Sequence, residues 1–161
     1  MHFAPQHILG TPAYYQWRHD NFVSRHPQKT VPTYYLHYGL LYSERFQYIT
    51  KSKLSARGQQ WIDEVMLNLQ TLLEKRLSEP DGIEFEKNAQ ALKHFAFSSH
   101  VEAYWNEKGS APLHTLRLSD LITILLTPNF RDLLSVDGII QILLTSKKLG
   151  GHYFFEWGKF R

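Results

Sequence analysis

The sequence predicts an all-α protein, a single compact domain of about seven or eight helices around one long central helix, and three observations carry that reading. The stretch 54–80 repeats an apolar residue every three or four positions, which is the helix period. Helix-opening and helix-closing signals recur between the apolar stretches. No β-hairpin signal, internal repeat or low-complexity run interrupts them. At 161 residues the whole chain, 1–161, fits one domain, long enough to bury about two thirds of its unfolded surface.

Taken in order, Thr11-Pro12 opens a first helix that runs to about Arg25, with threonine as cap and proline at a position whose amide has no partner to lose. Pro27 ends it by disfavouring helical geometry at His26. After Pro32 a second helix is expected to about Tyr48, with Tyr34, Tyr38 and Tyr42 at successive i,i+4 positions. Gly39 weakens it by roughly 1 kcal/mol relative to alanine.

The central helix follows, from Leu54 to Pro80. Ser55 is its expected N-cap, and Lys75 and Arg76 near its end suit the helix dipole. About six turns, roughly 35 Å, are implied. Its apolar stripe is Trp61, Ile62, Val65, Leu69, Leu72, Leu73 and Leu77, so Leu69 is expected in the core and Gln70, about 100° further round, in solvent.

Beyond the Pro80-Asp81-Gly82 turn, residues 82–97 resume a helical pattern through Phe85, Ala89, Leu92, Phe95 and Ala96. Ser99 and Glu102 have the spacing of a capping box, which predicts a new two-turn helix to about Lys108. A loop, 110–118, leads to a helix over 120–127 capped by Ser119. Pro128 opens another through Leu134, Ser135 caps a last one to Gly150, and the tail 152–161 is expected to dock in extended, aromatic form.

Composition excludes several classes. The chain has no cysteine, which removes disulfides, thiolate nucleophiles and cysteine metal sites; this suits a reducing cytosol, the expected location, and is equally compatible with export. The apolar runs 121–126 and 139–144 are far too short to span a membrane, and the first ten residues lack the pattern of a signal peptide. A nucleophile elbow, a phosphate-cradling loop and the HExxH zinc motif are all missing, and no cofactor is expected.

The net charge of +3 is unevenly distributed, with +5 over residues 1–57, −5 over 58–107 and +3 over 108–161. Eleven of the 23 aromatic residues, including seven of nine tyrosines, fall in the first 57 positions. Two functional readings follow. In the first, the chain binds a protein partner through this basic, tyrosine-rich third, with Arg18, Arg25, Tyr34, Tyr38, Tyr42 and Arg45 as contact residues. The same tyrosines at helical spacing also suit a buried face packed on the central helix.

In the alternative, the chain is a small hydrolase acting on an anionic polymer, either cell-wall glycan or nucleic acid. Its basic third would guide the substrate, and Glu102 with His100 or His94 would serve as acid and base. Asp20 and Glu44 are further acids that could complete a carboxylate pair. His19 and His26, seven apart on one helix and so roughly 10 Å from each other, are too far apart to share a zinc. His94, His100, Glu102 and His114 are the more plausible metal-ligand set, but surface and capping roles account for the same residues, and no metal is expected.

Overall fold

In the computed structural model, which describes residues 3–127, six α-helices follow one another: α1 (Ala13–Arg25), α2 (Leu41–Glu44), α3 (Ala56–Leu77), α4 (Gly82–Lys87), α5 (Ala89–Trp105) and α6 (Leu118–Leu125). No strand occurs among the described residues. The two helices expected after Pro128 and Ser135, and the extended tail, lie outside them.

The central helix starts and stops where the sequence places it. Ser55 Oγ accepts from the Gly58 amide at 3.3 Å, and the 22-residue helix ends at Leu77 with Lys75 and Arg76 in its last turn. Its inward residues form two hydrophobic clusters. Trp61, Ile62, Val65 and Met66 pack with Phe46, Leu54, Leu113, Leu116, Leu121 and Ile124. Leu73 and Leu77 pack with Tyr14, Tyr15, Phe22, Tyr34, Tyr35 and Leu92. The helix is therefore the spine that both clusters share.

Between the clusters the expected phase fails. Gln70 is fully buried and Leu69 only half-buried. The N-terminal segment crosses the helix here: Gln70 Oε1 accepts from the Gly10 amide at 2.6 Å, and Gln70 Nε2 donates to the Thr11 carbonyl at 2.8 Å. An amide side chain, which both donates and accepts, satisfies a buried turn that a leucine could not. Gly10 permits that turn with φ +80°. Thr11 also departs from its expected role, since its hydroxyl donates to the Ile8 carbonyl and Pro12 occupies the N-cap of α1.

The second helix is longer than expected. Wide turns of i→i+5 character, Tyr35–Leu40 and Arg45–Thr50, flank α2, and a tight turn, Lys51–Lys53, carries the helical path to Leu54. Its buried positions are Tyr34, Tyr35, Gly39, Ser43, Phe46 and Thr50. Gly39 lies against the Tyr15 ring so closely that a β-carbon would stand 2.3 Å from a ring carbon. The glycine is thus the contact point between this helix and α1.

The next break falls at Asn88 rather than Ser99. Asn88 Oδ1 accepts from the Ala91 amide at 3.0 Å and caps α5, which continues unbroken to Trp105 and ends at Asn106 in the left-handed conformation, φ 49°. The capping box does not form, because Ser99 lies inside that helix and its hydroxyl donates to the Ala96 carbonyl at 2.7 Å. Likewise α6 starts at Leu118 with Arg117 at its N-cap, and the Ser119 carbonyl accepts from Thr123 Oγ1. Asp120 ties α6 to the start of α3, accepting from the Ser55 amide at 2.9 Å and the Ser55 hydroxyl at 2.5 Å.

Candidate functional site

The charge asymmetry is largely an internal pairing. Arg18 is fully buried, and its guanidinium is held by the Glu74 carboxylate of α3, which also accepts from Tyr14 Oη at 2.7 Å and from the Ala4 amide at 3.2 Å. Burial works against the Arg18 charge, but Tyr14 and Glu74 together raise its pKa above the ordinary arginine value. Arg25 donates to Asn21 Oδ1 at 2.7 Å and to the fully buried Glu86 at 2.6 Å, with Tyr35 Oη completing the Glu86 shell at 2.8 Å. Burial, and then Glu86, pushes the Tyr35 phenol well above its usual range. Lys51 pairs with Asp63 at 2.5 Å.

These contacts correct the expected binding set. Arg18 is sequestered and Arg25 is committed to Glu86, so neither offers its charge to a partner. Tyr34 is core, edge-on to Tyr15 and Phe97. Tyr38 is half-buried, with Lys93 Nζ 4.7 Å from its ring centre. Tyr42 is half-buried beneath the Arg45 guanidinium, 5.5 Å from its ring centre, and its hydroxyl is enclosed without a hydrogen-bond partner among the described residues. Of the six, Arg45 keeps a charge with no carboxylate within ion-pair distance among the described residues.

A different surface emerges beside it. Tyr48 is 69% exposed and Ile49 56%, while on α6 Leu118 is 71% exposed, Ile122 49% and Leu126 75%. Thr50 Oγ1 and Thr127 Oγ1 lie 3.0 Å apart, so the segments that carry Ile49 and Leu126 touch one residue beyond each. Leu118, Ile122 and Leu126 share one helical face by their spacing, but Leu121 and Ile124 make the other side equally apolar, so the sequence does not single out the exposed face.

The expected acid and base residues do not converge. His94 is exposed; His100 stacks on Phe97 at 5.6 Å and its Nδ1 lies 2.6 Å from the Ala96 carbonyl. Burial lowers the His100 pKa, opposed by the Ala96 and Phe97 carbonyls. Glu102, two positions on, takes another side of α5. Among the described residues no group of three His, Asp or Glu side chains is placed to hold a metal ion. Asp20 pairs with His19 on α1, and Glu44 is exposed on α2.

Glu102 instead lines a groove of ≈ 470 Å³ between α3 and α5, with Glu64, Asn68 and Thr71 on one wall and Trp105, Asn106 and Glu107 on the other. Glu64 accepts from Asn106 Nδ2 at 2.6 Å, from the Ala111 amide at 3.2 Å and from Gln60 Nε2 at 3.1 Å. Burial would raise its pKa, but these hydrogen bonds outweigh it and hold the carboxyl below its ordinary value. Of the nine carboxylates over 58–107, six have a base within 4.0 Å among the described residues: Asp63, Glu74, Glu79, Asp81, Glu84 and Glu86. The other three, Glu64, Glu102 and Glu107, are those that line the groove.

Compared with protein-family models, with curated proteins and with solved structures, the chain matches none of them. No helix among the described residues is long and apolar enough to cross a membrane.

Proposed function

We propose that this chain is a protein-interaction module whose contact surface is the outer side of α6 together with the end of the second helix. The observation that carries this reading is the exposure of five large apolar side chains, Leu118, Ile122 and Leu126 along α6 and its C-cap and Tyr48 and Ile49 on the second helix, on two segments that touch at Thr50 and Thr127. Contiguous exposed apolar groups with an aromatic member and a charged rim are the usual composition of a partner-binding patch. The basic, tyrosine-rich third contributes Tyr48, Ile49 and Arg45 rather than the arginines that it spends on Glu74 and Glu86.

Cross-linking in the source cell followed by titration with the purified partner tests this. Ile122→Glu and Tyr48→Glu should each weaken binding at least about tenfold, a loss of roughly 1.4 kcal/mol, with the circular dichroism spectrum and melting curve unchanged. Undiminished binding by both variants overturns the assignment.

A second reading, hydrolysis, is favoured by one observation, that Glu64 and Glu102 line the same groove. Three carboxylates against one lysine, Lys108, leave the groove net negative, so an uncharged glycan suits it better than an anionic polymer. Glu102→Gln should then abolish turnover of such a glycan; an inactive wild-type protein rejects this reading.

A further inference from the structure

The outer face of α6 is electrically asymmetric along its length. Leu118, Ile122 and Leu126 stand at i, i+4 and i+8, a stripe of about 12 Å at 1.5 Å per residue. Two hydrogen bonds orient the neighbouring segment: Thr50 meets Thr127 past the C-terminal end of α6, and Ser55 meets Asp120 near its N-terminal end. Residues 50–55 therefore run antiparallel to α6. Tyr48 and Ile49 precede the end of this run that meets Thr127, the residue after Leu126, while Lys53 stands two residues before Ser55 at the Asp120 end, where Arg117 adjoins Leu118.

Arg57 joins that basic end, since its Nε donates to Thr115 Oγ1 at 2.7 Å and its Nη2 to the Ser110 carbonyl at 3.3 Å. Both acceptors are neutral. No carboxylate lies within 4.0 Å of Lys53, Arg57 or Arg117 among the described residues. The one acid in the corner, Asp120, is buried and accepts from Ser55. Three bases without a carboxylate in ion-pair range among the described residues thus stand toward one end of an exposed apolar stripe.

We infer that the partner docks as an amphipathic helix with acidic residues at one end, its apolar side on Leu118, Ile122 and Leu126 and its carboxylates against Lys53, Arg57 and Arg117. This inference rests on the proposed interaction function and names the chemistry of the partner. A two-turn apolar stripe matches i, i+4, i+7 anchors on a docked helix, and the bases set its direction and its rate of capture.

The test uses the full chain and two fluorescein-labelled helical peptides with the same leucine stripe, one carrying three glutamates at an end and the other three lysines. By fluorescence anisotropy at low salt the glutamate peptide should bind at least about tenfold tighter, and the preference should shrink as salt rises. Lys53→Glu with Arg117→Glu should reverse it. Equal binding of both peptides, or a preference that survives the double reversal, overturns the inference.

The chain has no cysteine, so Ile122→Cys supplies a unique thiol. Maleimide labelling at the rate of a free thiol is expected. Slow labelling at every protein concentration means that the chain covers this face itself, and slow labelling only at high concentration means that a second copy does; either result overturns the inference. If Ile122→Glu abolishes binding of the natural partner while the double charge reversal leaves it intact, the contact surface stands and the acidic helix falls.

Discussion

Gln70 Oε1 lies 2.6 Å from the Gly10 amide nitrogen, and the same side chain donates to the Thr11 carbonyl, so one buried amide joins the central helix to the turn that begins α1. Gln70→Ala removes both partners at once and leaves a donor and an acceptor enclosed. A loss of about 1–3 kcal/mol is expected. Leu69→Ala, at a half-buried position, should lose less than a full core truncation of about 2–5 kcal/mol. Urea denaturation of the two variants measures this, and a neutral Gln70→Ala would refute the role given to the amide.

The buried and exposed ion pairs should respond very differently. Arg18→Met strands the Glu74 carboxylate with only Tyr14 and the Ala4 amide as donors, and a loss of about 3–5 kcal/mol is expected. Adding Glu74→Met should recover part of it. Lys51→Met, whose partner Asp63 is more than half exposed, should change stability by about 0–1 kcal/mol. Thermal melts of the three variants decide the matter.

At Gly39 two effects compete. Alanine favours a helix over glycine by about 1 kcal/mol, but its β-carbon would collide with the Tyr15 ring. Overpacking of that kind costs about 1–3 kcal/mol, so Gly39→Ala should be neutral to destabilising. Gly39→Ala in a Tyr15→Leu background should be better tolerated, which a double-mutant cycle by denaturation would reveal.

Stability should fall as the pH drops from 7 to 5. Desolvation depresses the pKa of His100, and desolvation followed by the Arg25 charge depresses that of His26. Both therefore take up a proton more readily when the chain is unfolded, where the ordinary value is about 6.5. Their contribution is complete above that pH and is lost as the pH falls below it toward the folded values. His100→Gln should flatten the decline measured by denaturant titration at each pH, and an unchanged slope would remove His100 from this account.

Much of the frame is readable from local signals. Ser55, the Lys75-Arg76 pair and the apolar repeat define α3, and Pro12 and Pro27 bracket α1, because each acts within one or two turns of itself. What escapes local reading depends on partners far along the chain. Apolar period alone turns Gln70 outward, since the turn at Gly10 that calls for an amide is 60 residues away. Counting charge makes a surface patch of Arg18 and Arg25, since their carboxylates arrive 56 and 61 residues later. Ser99 and Glu102 fit a capping motif whose geometry needs a helix start, and the helix had already started at Asn88.

For the groove, Glu102 was visible as an isolated acid, but its neighbour Glu64 was not. Nothing in the sequence indicates that α3 and α5 pass side by side. The exposed face of α6 was not legible, since Leu121 and Ile124 make its other side equally apolar, and its nearness to the second helix depends on the Thr50–Thr127 contact, 77 residues apart in the chain.

The long separation between Arg18 and Glu74 also bears on synthesis. At about 5–20 residues per second, roughly 3–11 seconds pass between the emergence of the arginine and that of its carboxylate. Throughout that interval the nascent chain presents an excess of positive charge beside the anionic ribosome, with its tyrosine cluster lacking Leu73 and Leu77 of α3. Until the far half of α3 emerges, Arg18 lacks its carboxylate and the cluster around Tyr14 and Tyr35 lacks Leu73 and Leu77, so pausing within codons 58 to 77 would prolong that incomplete stage.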